Sequence, residues 1–295
     1  MLIAEGAGVR VHAIEAGSFR VDGGGMFGAV PKSSWVRVAK PDPENRVELA
    51  MRCLLVETPR CRILIDTGAG NRGSAPFRDL YGIENDGSPT RLEDSLRAAG
   101  CDPDRIDVVV NTHLHFDHAG GNSLERPDGA PTLSFSNAEY AIQRGEWDAA
   151  HTNNLFAGAG YRPEDLGPLE ATGALAFMHG DTEIAPGVRA VVTPGHTAHH
   201  QSVLVDAGED TVFLPADLVP TAAHVRPAWI MSYDLEPLTT LSEKVRWLAQ
   251  AGREGWLIVF GHDPLVVAAR AVPADDGHGC DLGRLTSIDD RQGAG

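Results

Sequence analysis

The stretch Thr112-His113-Leu114-His115-Phe116-Asp117-His118-Ala119-Gly120-Gly121-Asn122 follows directly on the apolar run IDVVVN at 106–111. Four metal-binding side chains, His113, His115, Asp117 and His118, fall within six positions. A strand that ends in a loop can project His113 and His115 to one place and turn Asp117 and His118 toward a neighbouring place, which is what two adjacent metals require. A lone histidine is usually a satisfied core or surface residue. Imidazoles and a carboxylate at this density instead suit a zinc-type cation. The glycine pair lets the chain turn behind the ligands.

Working outward, further ligands have to come from other strand ends. His196 follows VRAVVTPG, Asp217 follows TVFLPA and His262 follows WLIVFG. Taken singly, Asp217 could be a helix cap and His262 a turn residue. Their shared position just beyond apolar strands favours convergence on one rim.

Runs rich in Val, Ile and Leu recur between turn signals, and several lead into capped helical patterns, so the chain reads as layered α/β. Strands are expected at 9–14, 47–57, 62–66, 107–111, 132–135, 188–193, 201–206, 211–215 and 256–260. Capping-box spacing predicts helices after Thr90 (with Glu93), Ser136 (with Glu139) and Thr240 (with Glu243), with Gly100 and Gly252 as stops. The segment 151–173 loses periodicity and reads as a loop insertion or short helical excursion. The stretch 1–45 reads as an N-terminal extension, and the polar, Gly-rich tail 273–295 is expected to fray. No repeat or interdomain linker divides the chain, so one domain over 1–295 is expected.

Composition narrows the function. Forty-one acidic against twenty-five basic residues give a formal charge of −16, which excludes the basic footprint of nucleic-acid or anionic-membrane binding. No apolar run reaches transmembrane length and no signal peptide opens the chain, so a cytoplasmic protein without membrane insertion is expected. The four cysteines form no CxxC pair, which argues against a thiolate zinc site or a disulfide framework. There is no GxSxG, and Gly23-Gly24-Gly25 and Gly68-Ala69-Gly70 read as turns, not phosphate cradles.

Together LIDTG at Asp66, HLHFDH at 113–118, PGHT at His196, AD at Asp217 and GHD at His262 resemble the five-motif pattern of the metallo-β-lactamase-fold hydrolase superfamily. The match spans about two hundred residues in the right order. The resemblance implies an αββα sandwich: two facing mixed sheets, outer helices and a dimetal site at one edge. It also implies that His113, His115 and His196 hold one metal, that Asp117, His118 and His262 hold the second, and that Asp217 bridges. Asp66 would orient the ligand loop without touching metal, and His200 would stand behind the ligands. Zinc is the expected ion, with mixed zinc–iron, cobalt or manganese as alternatives.

Within the superfamily, HLHFDHAGGN and GDTEIAPGVRAVVTPGHTAHHQSVLV look most like N-acyl-homoserine lactonases, the quorum-quenching branch. MFGAVPKSSW and the HDP ending are similar to a branch that also includes parathion-type organophosphate hydrolases. The reaction implied is attack by a metal-bridging hydroxide on a lactone or hydrophobic ester, with Asp117 passing a proton to the leaving oxygen and Asp217 completing the catalytic pair. One departure bears on this: the best-known lactonases carry a tyrosine three positions after the bridging Asp, where this chain has Pro220. Met26, Phe27, Trp35, Phe156, Trp229 and Met231 are expected to line the pocket, His151 and His224 its rim. Alternatives are an organophosphate or aryl ester hydrolase, a glyoxalase II-like thioesterase and a non-catalytic zinc-binding protein. The resemblance also suggests a homodimer.

Overall fold

The computed structural model describes residues 1–125, 129–152, 160–275, 277 and 279–287. Its strands are β1 (Leu2–Gly6), β2 (Val9–Asp22), β3 (Arg46–Glu57), β4 (Arg62–Ile65), β5 (Val108–Val110), β6 (Ser123–Glu125), β7 (Pro131–Leu133), β8 (Glu139–Gln143), β9 (Leu175–Met178), β10 (Thr182–Ala185), β11 (Val188–Val192), β12 (Gln201–Ala207), β13 (Asp210–Leu214), β14 (Leu257–Val259), β15 (Val266–Pro273) and β16 (Cys280–Ser287). Among the described residues they form two seven-stranded sheets, β1-β2-β3-β4-β5-β8-β9 and β10 to β16 in sequence order, with β6 and β7 as a separate ribbon. Both sheets are mixed. In the first, β4, β5, β8 and β9 run parallel; in the second, β13 and β14 do.

Side-chain alternation along the strands makes the layers. Leu54 and Val56 of β3 share one core with Val203 and Val205 of β12 and with Leu257 and Val259 of β14, so this core lies between the sheets. The α-helices are α1 (Gly23–Phe27), α2 (Lys32–Trp35), α3 (Ala75–Leu80), α4 (Arg91–Ala98), α5 (Phe116–Ala119), α6 (Arg144–Ala150), α7 (Pro163–Thr172) and α8 (Pro237–Glu254). Cys53 and Leu55 point to the opposite face and meet α4, α6 and α7 through Leu92, Leu96, Trp147 and Leu169. Leu204 and Ile258 face outward beneath Trp247, Leu248 and Ala251 of α8 (Pro237–Glu254). The result is the expected αββα sandwich. Among the described residues no helix is long and apolar enough to cross a membrane.

Several local expectations are corrected. The helix expected after Ser136 is strand β8, with α6 following it. Tyr140, Ala141, Ile142 and Gln143 are all buried between parallel neighbours, and a strand covered on both faces has a continuous apolar run that mimics a helix. Helix α8 begins earlier than Thr240, at Pro237, and runs past Gly252 to an αL cap at Gly255 (φ 68°). Gly252 is a close-packing position instead, since a Cβ there would lie 3.0 Å from the Val272 carbonyl oxygen. The triplet Gly23-Gly24-Gly25 begins a short helix (Gly23–Phe27) capped by Asp22, whose Oδ1 accepts from Gly25 N at 2.9 Å. The N-terminal stretch supplies β1 and β2 to the first sheet, and part of the expected fraying tail is β16, paired with β15. The 151–173 segment contains α7, while Leu155 and Phe156 lie outside the described residues.

Candidate active site

Each donor sits where the topology ends a strand. Asp66 follows β4, the 113–118 cluster follows β5, Asp217 follows β13 and His262 follows β14. These are the two central parallel pairs, and the C-terminal ends of parallel strands are where open α/β sheets place their ligands. His196 follows β11, on the same side. The glycine pair serves close approach: a Cβ at Gly121 would stand 2.1 Å from the Thr67 carbonyl oxygen and one at Gly120 2.6 Å from that of Ala69. Side chains there would push the 113–122 loop away from the Asp66 loop. Asp66 and Ala216 both hold positive φ, 61° and 47°. Such backbone strain persists only where surrounding contacts enforce it, and here it flanks two of the acidic groups.

His113 Nε2 lies 3.1 Å from His115 Nδ1, which lies 3.0 Å from His196 Nε2. A second group brings His118 Nε2 within 3.0 Å of His262 Nε2, with Asp117 Oδ2 3.4 Å from each. Asp217 leans on both groups: its Oδ1 is 3.1 Å from His118 and 3.0 Å from His262, and its Oδ2 is 3.3 Å from His196. His113, His115 and His196, then Asp117, His118 and His262, then His113, His118 and Asp217 are three sets each compact enough to hold one cation.

The groups behind the rings fix which nitrogen carries hydrogen. His262 Nδ1 faces the Ala50 carbonyl oxygen at 2.8 Å, an acceptor only, so Nδ1 donates and Nε2 presents a lone pair. His118 Nδ1 donates to Asp66 Oδ2 at 2.9 Å and His196 Nδ1 to Asp234 Oδ1 at 2.9 Å. His113 Nδ1 meets Thr112 Oγ1 at 3.1 Å, and that hydroxyl gives its own hydrogen to Asp66 Oδ2 at 2.8 Å, so it must accept from the ring. In their neutral forms these four rings therefore each turn a bare Nε2 inward. His200 is held otherwise, with Nδ1 donating to the Thr193 carbonyl oxygen at 3.0 Å and Nε2 accepting from Asp217 N at 3.2 Å, so it stands behind Asp217. His199 is exposed.

Facing nitrogens at 3.0 Å need a proton or a metal ion between them, and imidazoles and carboxylates converging this closely are a donor set that fits a metal ion. Its electrostatics agree. Four carboxylates, Asp66, Asp117, Asp217 and Asp234, stand among the rings, three of them buried, and buried negative charge is costly without positive partners. Burial, reinforced by His196, drives His115 down to about 3. Burial and the His118 and His115 rings hold His113 well below the usual range. Burial alone would lower His118, but Asp217, Asp117 and Asp66 outweigh it and raise it well above. Against its own burial, Asp217 is held well below the carboxylate range by His262, His118 and His196.

His115, Asp117, His196, Asp217 and His262 floor a cavity of about 330 Å³ whose walls are Phe19, Val21, Met26, Leu49, Tyr81, Phe116, Met231, Tyr233 and Leu235. Of the pocket residues expected from sequence, Met26 and Met231 line it. Phe27, Trp35 and Trp229 do not: Phe27 and Trp35 stack at 5.3 Å, with Trp229 edge-on to Phe27 at 5.7 Å, and all three lie outside this wall. His224, expected at the rim, is buried under Phe27 and bonded to Thr221 and to the Met26 carbonyl oxygen. His151 packs on Trp147 and is likewise not part of the wall. Sequence reading missed Asp234, Glu146, Phe19 and Leu49. Tyr233, thirteen residues beyond Pro220, is on the wall.

An imidazole and carboxylate cluster at the strand ends of an αββα sandwich is the site of a metal-dependent hydrolase. Residues 50–262 match the model of the metallo-beta-lactamase superfamily, and the chain belongs to that superfamily. It is 30% identical over 231 residues to an N-acyl homoserine lactonase of Bacillus cereus, an alignment covering 75% of this chain and 84% of that protein. A crystal structure described as a probable metal-dependent hydrolase from Staphylococcus aureus matches with a TM-score of 0.86 and 27% identity over 96% of this chain and 99% of that one. A solved N-acyl homoserine lactone hydrolase with the product N-hexanoyl-L-homoserine at its catalytic metal centre matches with a TM-score of 0.66 and 25% identity, over 89% of this chain and 94% of that one.

Proposed function

We propose that this protein hydrolyses the ring ester of N-acyl homoserine lactones, with one divalent cation held by His113, His115 and His196, a second held by Asp117, His118 and His262, and Asp217 shared between them. The observation that carries the reading is the position of Asp217, one oxygen toward each donor group, at the floor of an apolar cavity. The named activity of the Bacillus cereus relative supports the choice of substrate. Imidazole and carboxylate donors suit zinc, with iron, cobalt or manganese as substitutes.

When bound, the cations supply Lewis acidity and activation of water at neutral pH. The chain does the rest. Asp66, Asp234, Thr112 and the Ala50 carbonyl lock the rings in the tautomer that leaves Nε2 free. Phe19, Val21, Met26, Leu49 and Met231 take up the acyl chain and exclude water from it. Asp117, on the cavity wall, accepts a proton at its carboxylate and passes it to the leaving alcohol oxygen. No tyrosine occupies position 220; the phenols that line the wall are Tyr81 and Tyr233.

The rings of Phe19, Phe116 and Tyr81 on that wall favour aryl esters and aryl phosphotriesters as a second reading. Proton release by zinc-loaded protein, with N-hexanoyl and N-decanoyl homoserine lactone set beside p-nitrophenyl acetate and paraoxon, tests both. Chelator-sensitive ring opening that exceeds turnover of the aryl substrates is expected. Faster turnover of paraoxon would favour the second reading, and retained metal with no turnover of any substrate would point to a non-catalytic zinc protein.

A further inference from the structure

Glu146 is almost fully buried, at 1% exposure, in the first turn of α6. Its Oε1 accepts from the backbone N–H of Leu114 at 3.1 Å and from the Tyr161 hydroxyl at 2.8 Å, while its Oε2 accepts from the Thr197 hydroxyl at 2.7 Å. Leu114 lies between His113 and His115, and Thr197 follows His196. Tyr161 sets its ring edge-on to His115, centroids 4.8 Å apart. One carboxylate thus reaches every segment that carries a ring of the first donor group, and it touches none of the rings.

The backbone around it is cut to fit. A Cβ on Gly145 would lie 2.4 Å from the His199 ring, and one on Gly160 2.5 Å from Cδ2 of His115. The first turn of α6 therefore presses on the His196 loop, while the Tyr161 segment presses on His115. An apolar side chain at 146 would leave a buried N–H and two hydroxyls unpaired. All three bonds come from neutral donors, so the charge of Glu146 stays free to favour a cation at the rings it surrounds.

We infer that Glu146 is a positioning residue that sets the spacing of His113, His115 and His196, and thereby the affinity of that group for its cation. The inference rests on the dimetal reading above. Glu146→Ala should weaken one of two zinc sites by about 10- to 100-fold, the range for groups that orient ligands, and leave the other within about threefold. Glu146→Gln keeps an oxygen for Leu114 and Tyr161 and an amide that Thr197 can accept from, so it should recover most of the loss. The readouts are zinc titration against a chromogenic chelator and the visible spectrum of cobalt-loaded protein, where a disturbed first group changes one set of bands. Tyr161→Phe and Thr197→Val remove one tie each and are expected to weaken the same site by a few-fold, which keeps the test open if the alanine variant does not fold.

If Glu146→Ala lowers thermal stability while both zinc affinities and the cobalt spectrum match the parent, the residue is only packing and the inference falls alone. If the parent itself binds fewer than two zinc ions, the dimetal reading falls and takes this inference with it.

Discussion

His113, His115 and His196 form a donor group of imidazoles alone, whereas Asp117, His118 and His262 combine a carboxylate with two rings, and Asp217 leans on both. Their supports differ in the same sense. Behind the imidazole group stand Asp234, Glu146 and the Thr112 hydroxyl, so its negative charge is set back from the donors. In the mixed group the charge is among the donors, and His262 is held by main chain through the Ala50 carbonyl. The buried Arg52 fastens that segment, donating from Nη1 to the carbonyl oxygens of Phe260 at 2.5 Å and Asp263 at 3.0 Å. One group should gain its affinity mainly from orientation, the other mainly from charge.

Asp217→Asn should have the largest effect because it erases what the groups share. Metal content by mass spectrometry should fall by at least one ion per chain and turnover by on the order of 10²–10³-fold; a variant that keeps both would separate the groups altogether. Next comes Arg52→Met, which leaves two buried carbonyls without their donor. The metal-free protein should lose about 3 kcal/mol in urea denaturation, and an unchanged midpoint would show that the His262 loop needs no such fastening. Asp66→Asn and Asp234→Asn should each cost about 10- to 100-fold in zinc affinity. Asp66 should be the more damaging, since it serves His118 directly and His113 through Thr112. Equal losses would contradict that ranking.

A further effect is one of pH dependence and concerns Lys244, whose Nζ donates to the carbonyl oxygens of Arg226 and Trp229 ahead of the Asp234 segment. Burial lowers it to about 7 from 10.5. Between those values the unfolded chain binds the extra proton, so this group makes stability rise with pH, while below about pH 7 its cost is fully present. Guanidinium midpoints of the parent, compared with Lys244→Met, should therefore climb from pH 7 to 9.5. A constant difference between the two proteins would show that the ammonium is not desolvated.

The convergence of His113, His115, Asp117, His118, His196, Asp217 and His262 is legible because each is a rare side chain placed just beyond an apolar strand, a pattern that survives without knowledge of register. Glu146 and Asp234 were not legible, because a lone acidic residue in a first helical turn or a loop reads as a cap or as surface. The pocket wall was hidden by β2. A bulge at Glu15 and Gly17, the latter at φ 127°, interrupts the periodicity, yet the strand continues to Asp22 and carries Phe19 and Val21 into the site. Phe27, Trp35 and Trp229 look like pocket residues because large apolar side chains in loop-like sequence suggest a cleft; Phe27 and Trp35 fill the core beside it, and Trp229 packs half-buried against that core. The sequence of β8 reads as a helix because full burial erases the two-residue period.

The cavity mouth shows what can follow from a side chain that is not there. A methyl group on Gly25 would lie 2.2 Å from the hydroxyl oxygen of Tyr233, and the two segments are pinned by Ser232 N donating to the Gly25 carbonyl oxygen at 2.8 Å. The phenol therefore cannot swing back over any larger residue at position 25; it would have to tip elsewhere, with the cavity as the space beside it. Position 25, outside the donor set, is thus a handle on the bore of the entrance, by which the range of admitted substrates could be retuned while the ring nitrogens are left alone.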